Sequence, residues 1–158
     1  MTDYLILKYL HVIGATVLLG TGVGIAFFMM MANRSGDPRL IAGVARIVVI
    51  ADYLFTATAV VAQPVTGLLL ARNAGYSLGE GWIVVSIGLY LFTGAFWLPV
   101  VWMQSRMQRL AAAAAAAGAP LPAEYRRLYL WWFAFGIPAF TAVLAIFWLM
   151  IARPEIAL

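Results

Sequence analysis

Cysteine is absent from this chain of 158 residues, and charged residues make up only 10% of it. Without cysteine the chain has no disulfides, thiolate metal sites, iron–sulfur clusters or covalently attached c-type haem. A soluble domain is typically about 45–50% apolar and about 25% charged, whereas 65% of these residues are hydrophobic and the mean hydropathy is +0.97. So few polar residues cannot cover a water-soluble globule. The composition excludes a soluble enzyme domain, a disordered chain and a collagen-like fibre.

Familiar catalytic and metal-binding motifs are also missing. His11 is the only histidine, and a zinc site typically needs three or four N, S or O ligands. The chain has no Ser–His–Asp arrangement, phosphate-binding loop or His-Glu-x-x-His motif, so nothing supports hydrolase chemistry. The formal net charge is +4, but the basic residues stand mostly at the ends of apolar segments. This favours a role in membrane topology over binding to nucleic acid.

Four apolar segments are each long enough to cross a bilayer, which requires about 20 residues. Clusters of Pro, Gly, Asn and Arg separate them and predict helices at about 4–32, 39–71, 82–117 and 125–153. We therefore predict an all-α polytopic membrane protein. Its four transmembrane helices form one bundle, and residues 1–158 form a single integral membrane domain.

The basic residues predict how the bundle is oriented. Connections on the cytoplasmic side of a membrane carry an excess of Lys and Arg. The first and third connections and their flanks, here called the arginine-rich end, hold most of the basic residues, whereas the opposite end holds only Lys8, Arg72 and Arg153. We predict that the arginine-rich end is cytoplasmic and that both termini lie outside. Its arginines are Arg34, Arg39, Arg46, Arg106, Arg109, Arg126 and Arg127.

Polar side chains recur at helical spacing along the segments, and they are costly against lipid, so we expect them to face inward. With a rise of about 1.5 Å per residue, His11, Gln63 and Tyr90 should meet in the outer half of the bundle. Asp52 should lie nearer the cytoplasmic half, where it either pairs with a neighbouring arginine or serves in a proton relay. The expected partners are Arg46 and Arg106. The main stripes are Tyr4, Lys8 and His11; Asp52, Thr56, Gln63 and Thr66; and Ser86, Tyr90, Thr93, Trp97 and Gln104.

Two features of the first segment each have two interpretations. Gly20 and Gly24, with Gly22 between them, form a small-x-x-x-small pattern that is typical of close helix packing. The alternative is close approach of the backbone to a flat cofactor. His11 either makes an interhelical hydrogen bond or serves as an axial haem ligand in the bundle core.

Several strings along the chain resemble a family of bacterial predicted integral membrane proteins, number 2269 in the series of domains of unknown function. The resemblance covers nearly the whole chain and implies a location in the bacterial cytoplasmic (inner) membrane, without an established activity. The strings include LKYLHVIG (7–14), ADYLF (51–55), QPVTG (63–67), WLPVVWMQ (97–104) and GIPAF (136–140).

The start of the first segment is similar to two further families. Lys8-x-x-His11 resembles the protoporphyrinogen oxidase family of small haem-binding membrane proteins, and Leu-His-Val resembles the copper-resistance D membrane family. The first resemblance implies that His11 is a haem ligand. Because there is no second histidine, a sixth ligand would come from Met, Lys or a partner subunit, or the haem would be five-coordinate.

These observations leave three hypotheses of function, and whether the protein is an enzyme stays open. The leading one is a haem b redox or electron-transfer protein of the inner membrane, with a homodimer or a redox partner. His11 would ligate the metal, the pocket would be lined by Gln63, Tyr90 and Trp97, and close approach would be permitted by Gly20, Gly22 and Gly24. The alternatives are a small-solute transporter or channel subunit whose path includes Asp52 and Gln63, and an assembly or interaction subunit without a cofactor.

Overall fold

The computed structural model describes residues 2–157, and within that range it contains four long helices and no strand. They are α1 (Thr2–Ser35), α2 (Pro38–Asn73), α3 (Gly81–Ala117) and α4 (Ala123–Ala152). By length and composition each could cross a membrane. The predicted all-α bundle of four transmembrane helices is confirmed, and the helices begin and end within three residues of the limits expected from the sequence.

Local chemistry ends the helices at the arginine-rich end. Gly36 follows α1 with φ of 67°, and Gly118 follows α3 with φ of 61°; this left-handed conformation is readily available only to glycine. The side chain of Asp37 accepts a hydrogen bond from the Arg39 amide at 2.9 Å, and Pro38 occupies the first position of α2. Both features are typical of a helix start. The two connections at this end are therefore short and well defined.

The main core lies in the half of the bundle next to the arginine-rich end, where all four helices contribute to one buried cluster. In the other half, α1 packs against Ala57–Asn73 of α2, and α3 packs against α4. Among the described residues these two pairs make few backbone contacts with each other there. The bundle is thus closed at one end and more open at the other. Its main cluster consists of Ile25, Met29, Ala32, Ile41, Ala45, Val48, Met103, Met107, Ala111, Tyr125, Leu128 and Trp132.

The outside of the bundle is apolar and the inside holds its buried polar groups. Leu130 is 69% exposed and Ile151 is 77% exposed, whereas Asp52 and Gln104 are each 3% exposed. The accessible surface is 9492 Å², compared with about 7,800 Å² for a soluble monomer of this mass. Lipid therefore replaces water as the solvent for this surface, and the polar groups must find partners inside the protein.

Candidate functional site

The contact between α1 and α2 is organised by polar side chains from both helices. The Gln63 side-chain amide donates to the backbone carbonyl of His11 at 2.8 Å. The Nδ1 atom of His11 lies 3.0 Å from the hydroxyl oxygen of Thr66. The structure therefore brings His11 and Gln63 together, as the sequence predicted, and adds Thr66 as the direct partner of the imidazole.

A glycine on each helix makes room for the polar side chain of the other. A Cβ on Gly14 would clash with the amide nitrogen of Gln63, and a Cβ on Gly67 would lie 3.1 Å from Cε1 of His11. Sequence analysis missed both glycines. The available signal was their spacing, because Gly14 follows His11 by three residues and Gly67 follows Gln63 by four, which places each pair on one helix face.

The hydrogen bonds of Thr66 assign the tautomer of His11. A threonine hydroxyl has one proton, and the Thr66 hydroxyl donates it to its own helix, with the Ala62 carbonyl 2.8 Å away and the Gln63 carbonyl 3.2 Å away. The oxygen of Thr66 is then an acceptor toward His11, so Nδ1 carries the imidazole proton. Nε2 keeps its lone pair. Metal-bound histidines are commonly held in this way, with the second ring nitrogen donating to a protein group.

Tyr90 of α3 contacts α2 at a backbone group that a proline leaves unpaired. Pro64 has no N–H, so the carbonyl four residues earlier, that of Val60, lacks its helical partner. The Tyr90 hydroxyl donates to this carbonyl. In lipid an unpaired backbone group is costly, so Tyr90 both satisfies α2 and links it to α3.

Tyr90→Phe should therefore destabilise the protein by about 1–2 kcal/mol, because the Val60 carbonyl loses the hydroxyl donor that replaces the missing N–H of Pro64. The measurement is unfolding in mixed micelles, with Tyr53→Phe as the control, since Tyr53 is 59% exposed. A Pro64→Ala background restores the helical N–H. Loss of the hydroxyl should cost less there, and an equal cost in both backgrounds would contradict the assignment.

A second set of buried polar side chains surrounds Asp52 and links α2, α3 and α4. The indole N–H of Trp97 donates to one carboxylate oxygen at 3.3 Å. With its amide oriented by these partners, Gln104 donates to the other oxygen at 3.0 Å and accepts from the Trp132 indole at 3.2 Å. All donors to Asp52 are neutral, and no cation pairs with it among the described residues.

The expectation that Arg46 or Arg106 pairs with Asp52 is wrong. Arg106 forms a two-point ion pair with Glu124, at 2.8 and 3.0 Å, on the surface of the arginine-rich end. Arg46 is exposed. A charged side chain near the end of a helix reaches the polar boundary of the membrane, so these arginines extend away from the buried carboxylate.

The backbone at Asp52 is itself unusual. Asp52–Thr56 forms a π-helical turn within α2, a feature that occurs frequently at functional sites. The Thr56 hydroxyl oxygen is buried in this turn without a hydrogen-bond partner in the described part of the chain. Sequence analysis placed Asp52, Thr56 and Gln104 inside the bundle, but nothing in the sequence indicated the π turn.

The remaining candidate residues lie apart from the His11 contact. Trp97 binds at Asp52, about 16 Å along α2 from Gln63 at the helical rise. No neighbouring atom lies within 4 Å of a Cβ built on Gly20 or Gly22, and Gly24 faces Phe28 of its own helix. These three glycines therefore do not mediate close helix packing within the chain.

Four apolar helices with their polar groups turned inward define an integral membrane protein, which sits in a lipid bilayer. The chain belongs to the family of predicted integral membrane proteins DUF2269, whose sequence model matches residues 5–154. No curated protein shows significant similarity to this chain. No solved structure does so either.

Proposed function

We propose that this protein is a haem b redox or electron-transfer protein of the bacterial cytoplasmic membrane, with His11 as an axial ligand. One observation carries the proposal: Nδ1 of His11 lies 3.0 Å from the Thr66 hydroxyl oxygen, which donates to the Ala62 carbonyl. This arrangement favours the tautomer in which Nε2 keeps its lone pair. A histidine prepared in this way suits coordination of iron, and bundle cores commonly hold such sites. The proposed partner is a redox protein or a second copy of the chain.

The residues around the α1–α2 contact hold the His11 imidazole and the two helix backbones in fixed positions. Gly67 admits the imidazole, and Gln63 fixes the α1 backbone at His11 itself. Tyr90 fixes α2 at Val60, one turn before Gln63. When bound, haem would supply one-electron chemistry, while these residues would bind and orient it. The chain has no second histidine, so any second protein ligand would be Met, Lys or a residue of a partner.

The visible spectrum of the purified protein, oxidised and reduced, tests this proposal. With adequate haem supply during expression, the wild type should carry a stoichiometric Soret band, and His11→Ala should lose at least nine-tenths of it. Gly43→Ala is the control, because a Cβ there meets no atom within 4 Å and the residue is outside the candidate pocket. Thr66→Val should keep the pigment but alter its spectrum, since the imidazole loses its orienting acceptor. A folded, colourless wild type, or a His11→Ala variant with an unchanged spectrum, would overturn the assignment.

A second candidate function is proton-linked movement of a small solute through the group around Asp52. The observation in its favour is a buried carboxylate, bonded only by neutral donors, beside the unpartnered Thr56 hydroxyl in a π turn. Ionisable residues inside membranes commonly mark proton or substrate paths. Under this transport hypothesis His11 and Gln63 have a structural role, and the purified protein should be colourless.

A further inference from the structure

Two adjoining depressions lie between α1 and α4 near the arginine-rich end. The first, here called the loop groove, has a volume of about 620 Å³ and is lined by both connections and by Tyr125, Arg126 and Tyr129. The second, the apolar furrow, has a volume of about 340 Å³ and is lined by Met30 and by α4 from Tyr129 to Ile137. Tyr129 and Leu130 line both, so the two depressions adjoin, and together they are here called the channel.

The loop groove suits an anion. Arg126 lines it, and none of its lining residues is acidic. The N-terminus of α2 beside the groove is already capped by the Asp37 side chain. The positive charge of the groove therefore comes from Arg126, in the first turns of α4. The Tyr129 hydroxyl, which has no hydrogen-bond partner within residues 2–157, lies where the groove meets the furrow.

The apolar furrow suits a hydrocarbon chain. Its walls are Met30, Leu130, Phe133, Ala134 and Ile137, with only the Tyr129 hydroxyl adding a polar group. From Arg126 to Ile137 the helical rise spans about 16 Å. Half of a bilayer's hydrocarbon core is about 15 Å thick. The channel thus has a charged end at the membrane boundary and an apolar end that reaches the depth of one leaflet.

We infer that this channel binds one anionic phospholipid, with its phosphate at Arg126 and an acyl chain along the furrow. The inference is independent of the proposed redox function. It differs from general solvation by lipid because it requires both the charge of Arg126 and the shape of the furrow. Under the predicted orientation, the lipid belongs to the cytoplasmic leaflet.

The test compares two neighbouring arginines. Both Arg126 and Arg127 are exposed on the first turns of α4, but only Arg126 lines the groove. Thermal unfolding in mild detergent is followed while phosphatidylglycerol is added. The midpoint should rise saturably for the wild type and for Arg127→Gln. For Arg126→Gln the half-saturating lipid concentration should rise about tenfold, through loss of a charge-assisted hydrogen bond.

Three further measurements distinguish the contributions of the lipid headgroup and of the acyl chain to this stabilisation. Phosphatidylcholine with the same acyl chains should stabilise less, and glycerol phosphate without chains should not stabilise. Ala134→Trp, which places bulk in the furrow, should weaken the response to phosphatidylglycerol while leaving the fold intact. Equal responses in the two arginine variants, equal effects of the two lipids, or full stabilisation by glycerol phosphate would each overturn the inference.

Discussion

Replacing Gly14 by alanine should destabilise the folded protein by about 1–2 kcal/mol, although it adds a single methyl group. The new Cβ would clash with the Gln63 amide nitrogen. Either the helices separate or the amide leaves the His11 carbonyl. Overpacking costs about 1–3 kcal/mol, and a buried amide without a partner costs about 1–3 kcal/mol. Whichever cost applies, it is partly offset by the gain of about 1 kcal/mol that alanine normally brings to a helix.

Gly22→Ala is the matched control for this prediction. It lies on the same helix, and a Cβ there meets no atom within 4 Å, so the variant should be unchanged or slightly stabilised. Unfolding of both variants in mixed micelles makes the comparison. Adding Gln63→Ala to Gly14→Ala should recover most of the loss, because the clashing amide is gone. Equal stabilities of Gly14→Ala and Gly22→Ala would contradict the proposed fit between the helices.

The comparison of these two glycines shows why the sequence predicted the fold better than the site. Hydropathy and the breaks at Gly36 and Gly118 define the helices, because lipid demands long apolar segments and loops need special backbone angles. Helical spacing places a residue on a face, but it does not say which neighbour lies opposite. The Gly20–Gly24 pattern therefore predicted close helix packing there, whereas α1 makes its close contact with α2 at Gly14.

The group around Asp52 shows that opposite charge in the sequence also does not identify the partner of a buried side chain. Sequence analysis predicted its depth from the helical rise and its inward direction from the cost of a carboxylate in lipid. It named the wrong partner because opposite charge suggested an arginine. Trp97 and Gln104 lie on the facing helix and reach the carboxylate, whereas Arg106 meets Glu124. Neutral hydrogen bonding in the interior and ion pairing at the boundary match the polarity of each environment.

The partners of Asp52 are uncharged hydrogen-bond donors. The stability lost on replacing Asp52 therefore depends on whether the new side chain can still accept hydrogen bonds. Asp52→Ala removes the acceptor of Trp97 and of Gln104 in a site that is 3% exposed. Leaving buried donors without partners should cost about 3 kcal/mol. Asp52→Asn keeps one oxygen for Trp97 but turns an N–H₂ group toward the Gln104 donor, so it should cost less, about 1–2 kcal/mol. Unfolding in mixed micelles measures both, and equal losses would show that the hydrogen bonds do not hold the three helices together.

The asparagine variant also separates the two candidate functions, since it keeps the shape of the site but has no proton to exchange. If Asp52 carries protons, reconstituted vesicles with an internal pH-sensitive dye should acidify under an imposed potential. Asp52→Asn should then fall to the rate of empty vesicles. Glu124→Gln is the control, because that carboxylate lies at the surface in an exposed ion pair that contributes little to stability. Under the haem proposal, Asp52→Asn instead keeps its Soret band, and proton entry into wild-type vesicles does not exceed that of empty ones.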